Sequence, residues 1–325
     1  MNSTSYEKEF GKCILVKGSR DAVVKYKNQS YVVNQIVLCI FHLFLTFLTT
    51  GLNGVAIFTI NNSPSLKRIL CYFLVMLQSW CDLITGLFSP LVFGFFFASE
   101  VLQVGACQVW FYGLALAAAP AGISFSMMVA LCFERYMSIV YPIIHRNRLT
   151  QEHALKYLLA NIVIYTITTL STPFWTSIFF ITTPFYRFFL LVIIGYFYIR
   201  IYQTSKKWFR KRRKNVGLVD TQNVQNNVTK NKTIRELMIR KKFAKTCFMT
   251  CVAYVLCYLP LVLIALATFV NGEISLPLLR QFQSWGHAIS SINPSLNSII
   301  FFWTRAALRR EMKKVTNKML SRKKV

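Results

Sequence analysis

Apolar residues in this chain fall into long runs separated by short polar and basic stretches. A helix that crosses a bilayer needs about 20 mostly apolar residues. Seven stretches reach that length: roughly 32–60, 69–97, 104–138, 154–178, 184–204, 243–270 and 276–303. They predict an all-α membrane protein built as a seven-transmembrane helix bundle. The least marked boundary lies between the fourth and fifth stretches, where Thr182-Thr183-Pro184 leaves almost no loop. One long kinked segment is the alternative there, but two spans put every later loop on the side that its charge requires.

The remaining segments differ in character. Residues 1–31 are polar and mixed in charge, without the apolar core of a cleavable signal peptide, so the first span is expected to act as the targeting segment. The stretch at about 205–242 is polar, with Gly217, Asp220 and several Asn and Gln. It predicts a cytoplasmic loop with a disordered centre, whose ends extend the fifth and sixth helices. In the tail, 304–325, Leu308, Met312, Val315 and Met319 recur at offsets of four, three and four, while Arg309, Arg310, Lys313 and Lys314 fill the other face. That periodicity predicts an amphipathic eighth helix on the inner membrane surface, its cations near anionic headgroups of the membrane lipids. No cysteine follows Trp303, so a palmitoyl anchor on this helix is not expected.

Composition fits a membrane protein: 54% of the residues are hydrophobic and 15% charged, against about a quarter charged in soluble domains. The formal net charge of +27 raises the question of a nucleic-acid partner. None is expected, because the basic residues are spread between apolar runs instead of gathering on one soluble domain. Lys67, Arg68, Arg146, Arg148, Lys156, the basic run within 206–214, Lys241, Lys242 and the terminal basic cluster fall on one side of a seven-span arrangement; Arg187 and Arg280 fall on the other. Basic residues accumulate in the cytoplasm, which puts the N-terminus outside a plasma membrane. The sequons at Asn2 and Asn28 are then usable for glycosylation, and those at Asn227 and Asn231 are expected to be inert. Seven of the nine cysteines (Cys39, Cys71, Cys81, Cys132, Cys247, Cys251 and Cys257) lie in or beside apolar runs and read as small packing residues.

An ionisable group inside a membrane helix is costly and therefore informative. The third span ends Glu134-Arg135-Tyr136, with Pro142 seven residues beyond the arginine. Alone, the tripeptide reads equally as a snorkelling arginine paired with its neighbour. Other spans add Asn53, Asp82, Tyr198 and Cys257-Tyr258-Leu259-Pro260, whose proline removes a backbone hydrogen bond and kinks the helix. Across all seven spans these positions resemble the rhodopsin-like (class A) G-protein-coupled receptors, as a divergent orphan or chemoreceptor-like member. The resemblance implies a receptor, not an enzyme, that binds an extracellular ligand and activates heterotrimeric G proteins by outward movement of the sixth helix. Arg135, held at rest by Glu134, would then contact the G protein and meet Tyr198. The resemblance also implies that Asp82, Ser124, Asn293 and Asn297 ring a sodium ion acting as an allosteric modulator; a water-filled polar network without an ion is the alternative. No other cofactor is expected.

Several positions depart from the family. Tyr258 and Tyr254 replace the usual tryptophan and phenylalanine, adding hydroxyls that need partners. The family's Asn-Pro-x-x-Tyr aligns with Asn297-Ser298-Ile299-Ile300-Phe301, losing the proline and the tyrosine, although Pro294 can supply a kink. The other register, starting at Asn293, puts Asn297 where the tyrosine belongs. Arg240 stands where many members carry an acid that locks the arginine, and Glu236 replaces it only in part, so the resting state is expected to shift easily. The family's outer disulfide also lacks its loop cysteine. Cys107 sits about a turn higher than usual and Cys13 is the other outside cysteine, leaving either a Cys13–Cys107 bridge or two free thiols.

The resemblance points to a ligand site among Ala117, Ala121, Tyr258, Leu261, Val262, Ala265, Gln283 and His287. Ala117 stands where amine receptors carry an aspartate and Ser291 where opsins carry their retinal lysine, which disfavours both ligand classes. The apolar wall suits a small, weakly charged or apolar ligand, with His287 as a hydrogen-bonded packing residue. A peptide ranks second because the second outer loop is short. A transporter or channel is the reading from a different class, but the sequence has no internal repeat and Asp82 is the only acid deep in a span. His42, His145, His153 and His287 are too dispersed to suggest a catalytic cluster.

Overall fold

The computed structural model describes residues 29–102, 107–171, 176–216, 245–246, 248–264 and 276–322. All regular elements among them are helices: α1 (Gln29–Asn61), α2 (Pro64–Lys67), α3 (Leu70–Leu102), α4 (Cys107–Val140), α5 (Pro142–Arg148), α6 (Gln151–Ser171), α7 (Thr176–Val216), α8 (Phe248–Ile264), α9 (Leu276–Ser290), α10 (Asn293–Thr304) and α11 (Ala306–Arg322). Four stretches within them, Val32–Asn61, Leu70–Phe95, Leu116–Val140 and Phe185–Lys207, are long and apolar enough to cross a membrane; α8 is apolar but shorter. Asn2, Cys13, Asn28, Arg240, Glu236 and Ala265 lie outside the described residues.

Long apolar faces stand exposed on two helices, beside an interior that also holds a large apolar cluster. On α1, Gln35, His42, Thr46, Thr49 and Asn53 are buried, whereas Val33, Val37, Ile40, Phe44 and Phe47 are exposed. Both sets recur at helical spacing, on opposite faces. A comparable apolar stripe runs along α7 through Phe185, Phe188, Phe189, Val192, Tyr196 and Ile199. Continuous exposed apolar surface on this scale needs an apolar medium. Lipid supplies it, and the polar groups turn inward to find partners.

Two helix boundaries differ from the apolar pattern. α6 stops at Ser171 and α7 begins at Thr176, where the pattern predicted an end at 178 and a start at 184. Residues 172–175 lie outside the described residues, and Pro184, with which the fifth stretch begins, is carried inside α7. The seventh stretch is two helices. Pro294, in the first turn of α10, has no N–H to offer the Ser290 carbonyl. The hydroxyls of Ser290 and Ser291 turn back to the His287 carbonyl, each at 2.9 Å.

α1 packs on α3, α3 on α4, and α4 on α6 and α7. α8 meets α4 where Cys132 and Cys251 bring their sulfurs to 3.8 Å, and α7 where Tyr198 stacks on Phe248 at 4.2 Å. Gly286 of α9 abuts Leu261 of α8, and both α9 and α10 return to α1. α11 follows Arg305, whose extended backbone (φ −111°, ψ 93°) turns the chain. Leu308 is fully buried, Met312 and Val315 partly so, and Arg309, Arg310, Lys313 and Lys314 are exposed. Ser63, ahead of α2, donates to Glu311 at 3.1 Å and holds α11 to the end of α1.

α3 seats closely on α1 at Gly86, where an added Cβ would overlap the Thr49 side chain of α1. Overpacking of this kind costs about 1–3 kcal/mol. Gly86→Ala is expected to lower the thermal unfolding midpoint of the purified protein. Adding Thr49→Ser, which removes the nearest methyl and keeps the hydroxyl, is expected to recover part of the loss.

Candidate functional site

The interior is organised around Asp82 on α3, which is 1% exposed and forms no ion pair among the described residues. Its carboxylate accepts hydrogen bonds from Gln78 Nε2 at 3.2 Å, Asn297 Nδ2 at 3.0 Å and Ser124 Oγ. Gln78 Nε2 also donates to Ser124 Oγ at 2.9 Å. Three helices therefore meet on one buried acid. Asp82, Ser124 and Asn297 were legible in the sequence; Gln78, one turn before Asp82 in an otherwise apolar run, was missed.

A second polar layer joins α1 to α10. Asn53 Nδ2 donates to the carbonyls of Thr49 (3.0 Å) and Pro294 (3.2 Å), and its Oδ1 accepts from Ser298 Oγ at 2.6 Å. Thr49 and Ser295 share a hydroxyl pair at 2.5 Å. Phe301 is buried in the main apolar cluster. Asn293 is buried one turn from Asn297, and Asn293 Oδ1, Asn297 Oδ1 and Gln78 Oε1 are all buried without a hydrogen-bond partner. One carboxylate with several neutral oxygens is a donor set suited to a hard cation or to ordered water. No group of three His, Cys, Asp or Glu gathers among the described residues.

Near the C-terminal end of α4, Arg135 donates through Nε and Nη2 to both oxygens of Glu134. Glu134 is 1% and Arg135 5% exposed. His145 of α5 brings its Nε2 to 2.8 Å from the same carboxylate, a contact that sequence reading missed because His145 reads as a loop residue. Tyr136 stacks on Phe197 of α7 at 5.0 Å. Nearby, Arg305 Nη2 donates to Thr246 at 2.7 Å, and Thr246 to Thr304 at 2.9 Å. The segment leading into α8 is thereby bonded to the α10–α11 elbow.

Towards the other end, Ala117 is buried with Phe93, Phe97 and Ala288. His287 stacks on Phe93 at 4.5 Å, as a packing residue would, and His42 lies 5.8 Å from the same ring. Tyr258 stacks on Tyr254 at 4.3 Å, and Tyr254 on Phe125 at 3.8 Å. The Arg187 guanidinium carbon sits 5.1 Å from the centre of the Tyr258 ring. Charge placement alone put Arg187 with the outer loops; because α7 starts early, it stands eleven residues into that helix and turns inward. Ala121, Leu261 and Pro260 are part-buried, and Val262 is 53% exposed. For Gln283 and Cys107 only the helical backbone is described.

The chain matches no model of a known protein family and no curated protein.

The Asn53 layer gives a direct test. Asn53→Ala leaves Ser298 and the Pro294 carbonyl without their partner, a loss of about 1–2 kcal/mol. Ser298→Ala is expected to add little on top of it. A double-mutant cycle read by thermal unfolding checks this; fully additive losses would mean the two side chains do not interact.

Proposed function

We infer that this chain is a cell-surface receptor of the rhodopsin-like type, crossing the plasma membrane seven times with its N-terminus outside. It binds an extracellular ligand and activates heterotrimeric G proteins. One observation carries the reading: Asp82, Ser124 and Asn297, picked from distant stretches by resemblance alone, converge in one hydrogen-bonded centre beside the Asn53 layer. Further support comes from the buried Glu134–Arg135 pair at the inner end of α4 and from the return of α9 and α10 to α1.

In this reading the Glu134 carboxylate holds Arg135 at rest, and His145 steadies that carboxylate from the inner loop. Outward movement of α8 separates it from Thr304 and Arg305 and opens a cleft beside Arg135 for the G protein. A sodium ion would be held by Asp82 with oxygens of Ser124, Asn293 and Asn297, and would supply the positive charge that Asp82 lacks. The apolar stripes on α1 and α7 face lipid, and α11 lies on the inner surface.

Guanine-nucleotide exchange tests the proposal, using the purified protein in lipid nanodiscs with a panel of G proteins. Wild type is expected to accelerate exchange on at least one of them. Arg135→Ala should abolish that activity, and His145→Ala should raise the ligand-free rate a few-fold by loosening Glu134. Full activity in Arg135→Ala, or no exchange alongside solute flux through the protein, would sink the receptor reading.

A further inference from the structure

Arg187 is a cation inside an apolar span, and nothing among the described residues neutralises it. It makes no ion pair there, and its Nε is buried without a hydrogen-bond partner. A guanidinium carries five donors and does not give up its proton in proteins. It must therefore stay charged, and a charge at this depth is expected to pair.

Its surroundings are aromatic and phenolic. Tyr258 lies under the guanidinium, Tyr254 stacks on Tyr258 at 4.3 Å, and Tyr165 of α6 packs edge-on against Tyr186, the residue before Arg187, at 6.3 Å. The Tyr258 face offsets part of the cation's desolvation but accepts none of its in-plane N–H groups. The hydroxyls of Tyr165 and Tyr254 are themselves buried without partners. Room for Tyr165 is made by Gly122 of α4, where any Cβ would overlap the phenol ring. Phe125, Tyr254 and Tyr258 form a continuous stack that fixes the ring under Arg187. Leu190, Ile194 and Phe125 belong to the apolar cluster that these rings join.

A fixed cation, two unused hydroxyls and apolar walls define what fits. The missing group is an anion whose oxygens can accept from a guanidinium and a phenol together. A carboxylate matches the planar fork of arginine and carries one charge. A phosphate brings about −1.5 to −2, more than a single guanidinium balances in an apolar setting. We propose that Arg187, with the hydroxyls of Tyr165 and Tyr254, anchors a carboxylate ligand with an apolar body. The site stands on its own residues; that its occupant is a signalling ligand rests on the receptor reading. The sequence pointed to a weakly charged or apolar ligand because Arg187 was assigned to the outer surface.

The test uses 4-phenylbutanoate and decanoate as probes, each paired with the alcohol of the same length, on the purified protein in nanodiscs. Thermal stabilisation and dose dependence give relative affinities. The acids are expected to bind about 10- to 100-fold more tightly than the alcohols, the range of a charge-assisted hydrogen bond converted to affinity. Arg187→Gln should erase that preference, weakening acid binding far more than alcohol binding. Arg187→Lys should keep part of it, and Tyr165→Phe should weaken it a few-fold. Equal binding of acid and alcohol to wild type, or an intact preference in Arg187→Gln, overturns the proposal. If Arg187→Gln does not fold, the wild-type comparison and Tyr165→Phe still decide. Nucleotide exchange separates the two readings. Acid binding without any exchange removes the receptor reading and leaves the site, whereas Arg135-dependent exchange with no acid preference does the reverse.

Discussion

A carboxylate buried among membrane helices has to find its hydrogen bonds inside the protein, and Asp82 sets the terms for the rest of the interior. Its three donors come from its own helix, from α4 and from α10. Those three elements must keep their register for the acid to be satisfied. The Asn53 layer applies the same constraint to α1, because its side-chain amide closes on a carbonyl that follows the α9–α10 break. Lipid offers no hydrophobic drive to press helices together, so packing and interhelical polar contacts carry the association. The close seat of Gly86 on Thr49 and the Asp82 centre are those two forces in adjacent places.

The same logic explains what the sequence could reveal. The all-helical, apolar character of the chain and the buried acid are legible because they depend on the length of apolar runs and on a rare residue type in them. Ser124 and Asn297 are legible because they stand at fixed offsets from recognisable motifs. Gln78, Thr49, Ser295 and Ser298 are not, since small and amide side chains are common in membrane helices and only the face they occupy gives them meaning. His145 is hidden for a different reason: it joins Glu134 through a short helix after the third span, a contact set by a turn rather than by periodicity. Arg187 is the instructive error. Starting the fifth stretch at Pro184 leaves out the first eight residues of α7, enough to put a cation at the end of a span instead of inside a helix.

The polar interior is graded along the membrane. Near one end, aromatic rings and histidines pack as His42, Phe93 and His287 do, with few hydrogen bonds. The middle holds the satisfied acid and several oxygens that still lack partners. At the opposite end lies a compact ion pair with a third partner. Gln78, Asn293 and Asn297 leave oxygens without partners in the middle, and Tyr165 and Tyr254 leave hydroxyls without partners around Arg187.

The elbow at Arg305 joins pieces that a sequence diagram keeps apart. The residue whose backbone ends α10 and starts α11 also bonds Thr246, ahead of α8, through its side chain. Mechanically this is a shared bearing. The start of α8 and α11 cannot turn independently while that bond holds, so a torque on either is resisted by both. Movement at this joint is stepwise, because a charge-assisted bond is either made or broken, and α11 acts as ballast for the helix it is tied to.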